Sequence, residues 1–261
     1  MNAEQPMTAL VTGGSRGIGL AVAKRLASGG TRVALCARDE DNLIRAAEDV
    51  SGSTGQKVEI VAADLSSAAG TDAAVQEAGQ KLGQVDVLVN VAGSAPAGTI
   101  DRLTDEQWDV ALDLKLRGYI RLMRAVLPAM IERRFGRIVN IAGNAGKQPE
   151  GWLVTSGVVN AAVLALTKAV ATSIAETGVT VNAVCPGPTE TTRWAGMQKA
   201  YAELNGVSED EARDRILAHI PAGRIATPEE VAYGVAFFAA REAGHITGEA
   251  LMIDGGHVRG L

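Results

Sequence analysis

The chain has 261 residues, 47% hydrophobic and 21% charged, which excludes a disordered polymer and suits one α/β domain. The formal net charge is −5 and there is no Lys/Arg-rich run, so nucleic acid is not an expected partner. Residues 1–7 lack the form of a signal peptide and no run of about 18 apolar residues is evident, so the expectation is a soluble cytoplasmic protein with no membrane partner.

Short β-branched runs alternate with longer Ala/Leu-rich stretches. In chain order the pattern predicts a strand at 9–12, a helix at 18–28, a strand at 32–37 and a helix at 40–50. A strand at 58–62, a helix at 71–82, a strand at 87–91 and a helix at 105–132 follow. Then come a strand at 137–141, a helix at 155–176, a strand at 179–185, a helix at 228–239 and a strand at 251–253. Alternation of this kind needs crossover connections. It predicts one Rossmann-type α/β domain over residues 1–261, with a doubly wound, parallel, seven-stranded sheet and helices on both faces. Capping pairs mark several helix starts: Thr104 with Gln107, Ser208 with Glu211, and Thr227 with Glu230 behind Pro228. Residues 191–219 break the alternation, with two short helices expected around Asn205-Gly206. An insertion at the carboxyl end of a strand often covers a ligand; a plain surface excursion is the alternative. Cys36 and Cys185 end apolar runs and read as buried small hydrophobes rather than a disulfide. His219, His245 and His257 show no metal-ligand spacing, and no metal is expected.

The most specific motif is Thr12-Gly13-Gly14-Ser15-Arg16-Gly17-Ile18-Gly19. It follows a predicted strand and opens a predicted helix, where free backbone N–H groups and the positive helix end hold a pyrophosphate. Gly13 permits the turn, Gly17 lets backbone approach phosphate, and Gly19 lets helix and strand pack closely. The spacing, G-x-x-x-G-x-G, is one residue longer than the usual dinucleotide fingerprint. The second strand ends Cys36-Ala37-Arg38-Asp39. An NAD site calls for a carboxylate at this strand end, to take the ribose 2′-hydroxyl; here the aligned residue is Ala37. Arg38 and Arg16 together favour a 2′-phosphate, and hence NADP(H) over NAD(H).

With these residues in place, the chain resembles the short-chain dehydrogenase/reductase family over nearly its whole length. The phosphate loop is similar to that family's T-G-x-x-x-G-x-G. Asp64-Leu65 matches its adenine-contacting pair, and Asn90-Val91-Ala92-Gly93 is close to its N-N-A-G. Pro186-Gly187-Pro188-Thr189-Glu190-Thr191 matches the segment around the nicotinamide, with Thr189 facing the carboxamide; Gly248 and Asp254-Gly255-Gly256 match its last strand. The cofactor-binding residues the resemblance implies are thus Gly13, Ser15, Arg16, Gly17, Ile18, Gly19, Arg38, Asp64, Leu65, Asn90, Ala92, Gly93, Pro186, Gly187 and Thr189.

The resemblance also implies a catalytic asparagine, serine, tyrosine and lysine, with the tyrosine moving the proton while hydride passes to or from the nicotinamide. Preserved flanking residues align these positions with Lys115, Gly143, Ser156 and Asn160, so all four are replaced. A serine hydroxyl is a far weaker acid than a phenol. Lys115, on the helix behind the nicotinamide pocket, is the candidate replacement donor, and Tyr119 at i+4 is a candidate to orient it or to donate itself. Pairing of Lys115 with Asp113, and Tyr119 as core, are the alternatives. Trp152 and Lys147 border the expected substrate region, and Asn144 offers a hydrogen-bond donor. Two readings stay open: an NADP(H)-dependent oxidoreductase acting on a small carbonyl, enone or imine without the usual acid–base pair, or a silent homologue serving as cofactor sensor or partner subunit. The family resemblance implies a homo-oligomer, a tetramer or dimer, packed through its fifth and sixth helices.

Overall fold

Residues such as Ala9-Leu10-Val11 and Val87-Leu88-Val89 are apolar without alternation, the pattern of strands covered on both faces. The computed structural model, which describes residues 5–260, shows that arrangement. Seven strands, β1 (Thr8–Thr12), β2 (Arg32–Ala37), β3 (Val58–Ala62), β4 (Val87–Asn90), β5 (Gly136–Ile141), β6 (Val179–Pro186) and β7 (Ala250–Ile253), form one sheet in the order β3-β2-β1-β4-β5-β6-β7. Every pairing is parallel. The helices are α1 (Gly17–Ser28), α2 (Glu40–Thr54), α3 (Ala68–Leu82), α4 (Asp105–Ala111), α5 (Gly118–Glu132), α6 (Val154–Ser173), α7 (Thr192–Asn205), α8 (Glu209–Leu217) and α9 (Pro228–Ala239).

Successive strand residues point to opposite faces. Ala9, Val11, Val87, Val89 and Val139 therefore meet α1, α2 and α9 on one side. Leu10, Leu88 and Ile138 meet α3, α5 and α6 on the other. Cys36 and Cys185 are buried, unpaired thiols, and burial pushes both up to about 12, which keeps them protonated and inert. The reciprocal caps form at Thr104/Gln107 and Thr227/Glu230. At Ser208 the hydroxyl accepts from Glu211 N at 3.2 Å.

Two expectations need correction. The helix predicted over 105–132 is not continuous: a π-helical stretch, Leu112–Arg117, separates α4 from α5. Such wide turns recur at functional sites, and hydrophobic periodicity does not reveal them. The expected lack of a long apolar span also fails by length and composition alone, because α6 qualifies as one. In the fold α6 packs on the sheet through buried Val163, Thr167 and Ala171, as a core helix does.

Candidate active site

Neighbouring β1 and β4 send their chains to opposite ends of the sheet order, the switch point where such folds hold ligands beyond the strands' carboxyl ends. A cleft of about 850 Å³ opens there. Its floor is the loop from Gly13 to Gly19. Gly13 and Gly17 hold φ of 64° and 53°, left-handed backbone that favours glycine. A Cβ on Gly19 would lie 2.1 Å from the Gly13 carbonyl oxygen, so no side chain fits. No side chain caps α1, so its first N–H groups face the cleft, ready for an anion. Thr12 locks the loop to the next strand: its hydroxyl donates to Val89 O at 3.2 Å and accepts from Val91 N at 3.0 Å and Ala92 N at 3.2 Å.

Gly13, Ser15, Arg16, Gly17, Ile18, Gly19, Arg38, Leu65, Ala92, Gly93, Pro186, Gly187 and Thr189 all line this cleft. Arg16 and Arg38 are exposed at its rim, beside Ala37. The adjacent carboxylate of Asp39 is occupied in capping α2, accepting from Asn42 N at 2.8 Å. One expected contact is corrected. Asn90 is fully buried beneath the floor and donates to Asn140 Oδ1 at 2.8 Å, because β4 ends on an inward-facing residue. Asp64 is exposed beside the cleft and accepts on Oδ1 from Ser66 N at 3.1 Å and Ser66 Oγ at 2.8 Å, which holds it below the usual range with help from Arg38. Its neighbours Ala63 and Leu65 line the cleft.

Lys115, Gly143, Ser156 and Asn160 all line the cleft. Asn160 Oδ1 accepts from Gly143 N at 2.8 Å, and its Nδ2 donates to Ser156 O at 2.8 Å and Ser156 Oγ at 3.1 Å. This buried neutral clasp fastens the end of β5 to α6 and contains no acid or base of useful strength. Lys115 comes from the π-helical stretch and lays its aliphatic chain against Gly93. Among the described residues it makes no ion pair; Asp113 pairs with Arg117 instead. Burial and the neighbouring Arg193 guanidinium bring the Lys115 ammonium down to about 7. Tyr119, the other candidate, is corrected: it is 0% exposed, sits in the core, donates to Ile141 O at 3.4 Å, and burial drives its phenol well above the usual value. The wide π turn alters the phase between Lys115 and Tyr119, so i+4 no longer means one shared face.

The segment 191–219 forms α7 and α8 and contributes Arg193, Trp194, Met197 and Ile216 to the cleft. Arg193 reaches across to donate to Ala95 O at 3.2 Å, in the loop after β4. Trp152 lines the cleft, whereas Lys147 is exposed outside its lining. Sequence reasoning missed Glu150 and His257. Both reach the same cavity, Glu150 from the loop before α6 and His257 from beyond β7. His219 and His257, far apart in sequence, lie with near-parallel rings 6.5 Å apart.

An uncapped helix start behind a glycine loop, at the switch point of a parallel sheet, defines a dinucleotide-binding α/β protein. The family model described as enoyl-(acyl carrier protein) reductase matches residues 13–257. A putative ketoacyl reductase of Streptomyces coelicolor is 40% identical over 98% of this chain and 98% of its own. The 3-oxoacyl-(acyl-carrier-protein) reductase of Escherichia coli is 36% identical over 95% and 96%. Among solved structures, an actinorhodin polyketide ketoreductase variant with NADPH superposes with TM-score 0.94 at 38% identity, covering 100% of both chains. The chain belongs to the short-chain dehydrogenase/reductase family.

Proposed function

We propose that this chain is an NADP(H)-dependent reductase of a small carbonyl compound, with an enone or imine as the other substrate classes its cleft chemistry suits. The observation that carries this reading is one continuous cavity holding the phosphate loop, the two rim arginines and the Lys115 amine. Relatives named as ketoacyl reductases and a structural neighbour with NADPH support it. The loop N–H groups would take the pyrophosphate, Arg16 and Arg38 the 2′-phosphate, and Thr189 with residues 186–188 the nicotinamide side. When bound, the cofactor supplies or accepts a hydride.

The chain's own part is to place and protonate the substrate. Lys115 takes the role that tyrosine fills in the family: near pH 7 its ammonium donates a proton to the oxygen or nitrogen that becomes anionic on reduction. Arg193 keeps that ammonium acidic, and α7 with α8 limits water. The buried Gly143–Asn160–Ser156 clasp favours a second reading, in which the protein binds cofactor without turnover, as a sensor or partner subunit. Self-association through the outer side of α6, where Val158 is 49% exposed, is compatible with both.

NADPH oxidation measured against ketones, enones and imines tests the reading. Reduction should need the ammonium, so kcat/KM falls as pH rises above about 7. Lys115→Met should lower it by about 100-fold or more and remove that limb. Turnover unchanged in the variant removes Lys115 from the mechanism. Firm cofactor binding with no turnover on any class supports the silent reading.

A further inference from the structure

Beyond Lys115, a second constellation faces the same cavity. The His257 side chain is 8% exposed, and its Nδ1 lies 3.2 Å from Asn144 Nδ2. An amide nitrogen only donates, so Nδ1 accepts and the ring proton resides on Nε2. Nε2 points to Glu150 Oε1 at 3.7 Å, beyond a direct hydrogen bond. The other Glu150 oxygen is already fixed, accepting from Trp152 Nε1 at 2.7 Å. The backbone holds the ring as well: Gln148 Nε2 donates to His257 O at 3.3 Å, and Gln148 Oε1 accepts from Arg259 N at 3.1 Å. Asp254, the nearby carboxylate, is occupied by Gly256 N at 3.1 Å and Val258 N at 2.9 Å.

One N–H donor and one carboxylate acceptor thus stand side by side, each oriented by other residues and neither used by the other. That pair matches a hydroxyl group, which accepts from one and donates to the other. A ketone oxygen can use only the histidine, and an ether cannot satisfy the carboxylate. The position is next to the chemistry: a Cβ on Gly187, in the segment expected at the nicotinamide, would lie 3.5 Å from Asn144 Nδ2. The indole of Trp152, edge-on to Tyr201 with ring centroids 5.0 Å apart, gives the same arm an apolar wall.

We infer that Glu150 and His257 form a hydroxyl-recognition subsite, and that the substrate is a hydroxylated, largely apolar ketone, an alcohol or phenol in addition to its reducible carbonyl. This rests on the reductase reading for the word substrate, but the binding claim is separable from it. Asn144 acts as a positioning residue, setting the tautomer of His257.

The test uses the full chain and matched probes: ring-hydroxylated aryl ketones and their O-methyl counterparts. KM is read with NADPH, and equilibrium binding is read by tryptophan fluorescence in the NADP⁺ complex. The wild type should prefer the hydroxyl member of at least one pair by about 10- to 100-fold, as hydrogen bonds to charged groups do. His257→Phe and Glu150→Gln should each reduce that preference to about twofold, and His257→Gln, which keeps an N–H donor, should restore part of it. NADPH affinity serves as the folding control, and if His257→Phe fails it, Glu150→Gln carries the comparison. No preference in the wild type, or a preference that survives in both variants, overturns the subsite. Hydroxyl-dependent binding without turnover on any ketone sustains the subsite and counts against the reductase reading alone.

Discussion

Replacing Lys115 by methionine should stabilise the protein without cofactor, and by an amount that depends on pH. In the folded state the Lys115 ammonium is brought from an ordinary 10.5 down to about 7 by burial and by Arg193. At about 1.4 kcal/mol per pKa unit, that displacement is worth at most about 5 kcal/mol. Lys115 is only partly buried and borders an open cleft, so water screening brings the expected effect to about 2 kcal/mol. The sign follows from proton counting. Between about pH 7 and 10.5 the unfolded chain binds a proton at this site that the folded chain does not, so wild-type stability rises with pH across that window. The cost of the ammonium is fully present below pH 7 and vanishes above 10.5. Methionine keeps the aliphatic packing on Gly93 and removes the charge. Urea denaturation of both proteins at pH 6, 7, 8.5 and 10 is the assay, on the ordinary two-state treatment. The variant should be the more stable by about 2 kcal/mol at pH 6, and the gap should close towards pH 10. A gap that stays constant over this range, or a destabilised variant at pH 6, would refute the account of a desolvated, unpaired ammonium.

Three further outcomes follow from the geometry. Arg38→Ala should weaken NADPH binding by about 10- to 100-fold, the loss of a charge-assisted contact, while NADH binding, read by the same calorimetry, changes little; equal losses for both would show that Arg38 does not read the 2′-phosphate. Gly19→Ala places a methyl 2.1 Å from Gly13 O, so it should abolish measurable cofactor binding, and near-normal NADPH affinity would mean the loop deforms freely. Asn160→Ala leaves the Gly143 N–H without its 2.8 Å acceptor, with an expected cost of about 1–3 kcal/mol in urea denaturation; a cost below about 0.5 kcal/mol would show that solvent replaces the clasp.

Strand positions were legible because the central strands are apolar on both faces and several helix starts, those of α4, α8 and α9 among them, carry a side-chain cap, and both signals are local. α9 begins at Pro228 with Thr227 as its cap, as the dipeptide chemistry favours. The phosphate loop was legible for the same reason, since its glycines and the helix they open are contiguous. What escaped depends on geometry across the chain. Asn90 sits in a motif that reads as a cofactor contact, yet the pleat of β4 turns its side chain into the core. The π turn at 112–117 inserts no distinctive residue, so Tyr119 looked like a neighbour of Lys115 on one face when it is rooted under Ile141. Glu150 and His257 are more than a hundred positions apart, and only the meeting of the β5–α6 loop with the end of β7 joins them. A lone histidine near a C-terminus carries no spacing from which that meeting could be read.

The pairing of β1 with β4 has a consequence for how the protein is made. Ala9 lies opposite Val87 and Val11 opposite Val89, so the two walls of the nucleotide crevice are separated by most of the chain's first third. During synthesis the glycine loop emerges early and can pair with β2, yet the Thr12 anchor on Val89, Val91 and Ala92 waits until the ribosome has released β4, and contacts of such long sequence separation form slowly. A nascent chain stopped before Val87 should therefore hold no coenzyme, and coenzyme added during refolding should reward only molecules in which this late contact has closed.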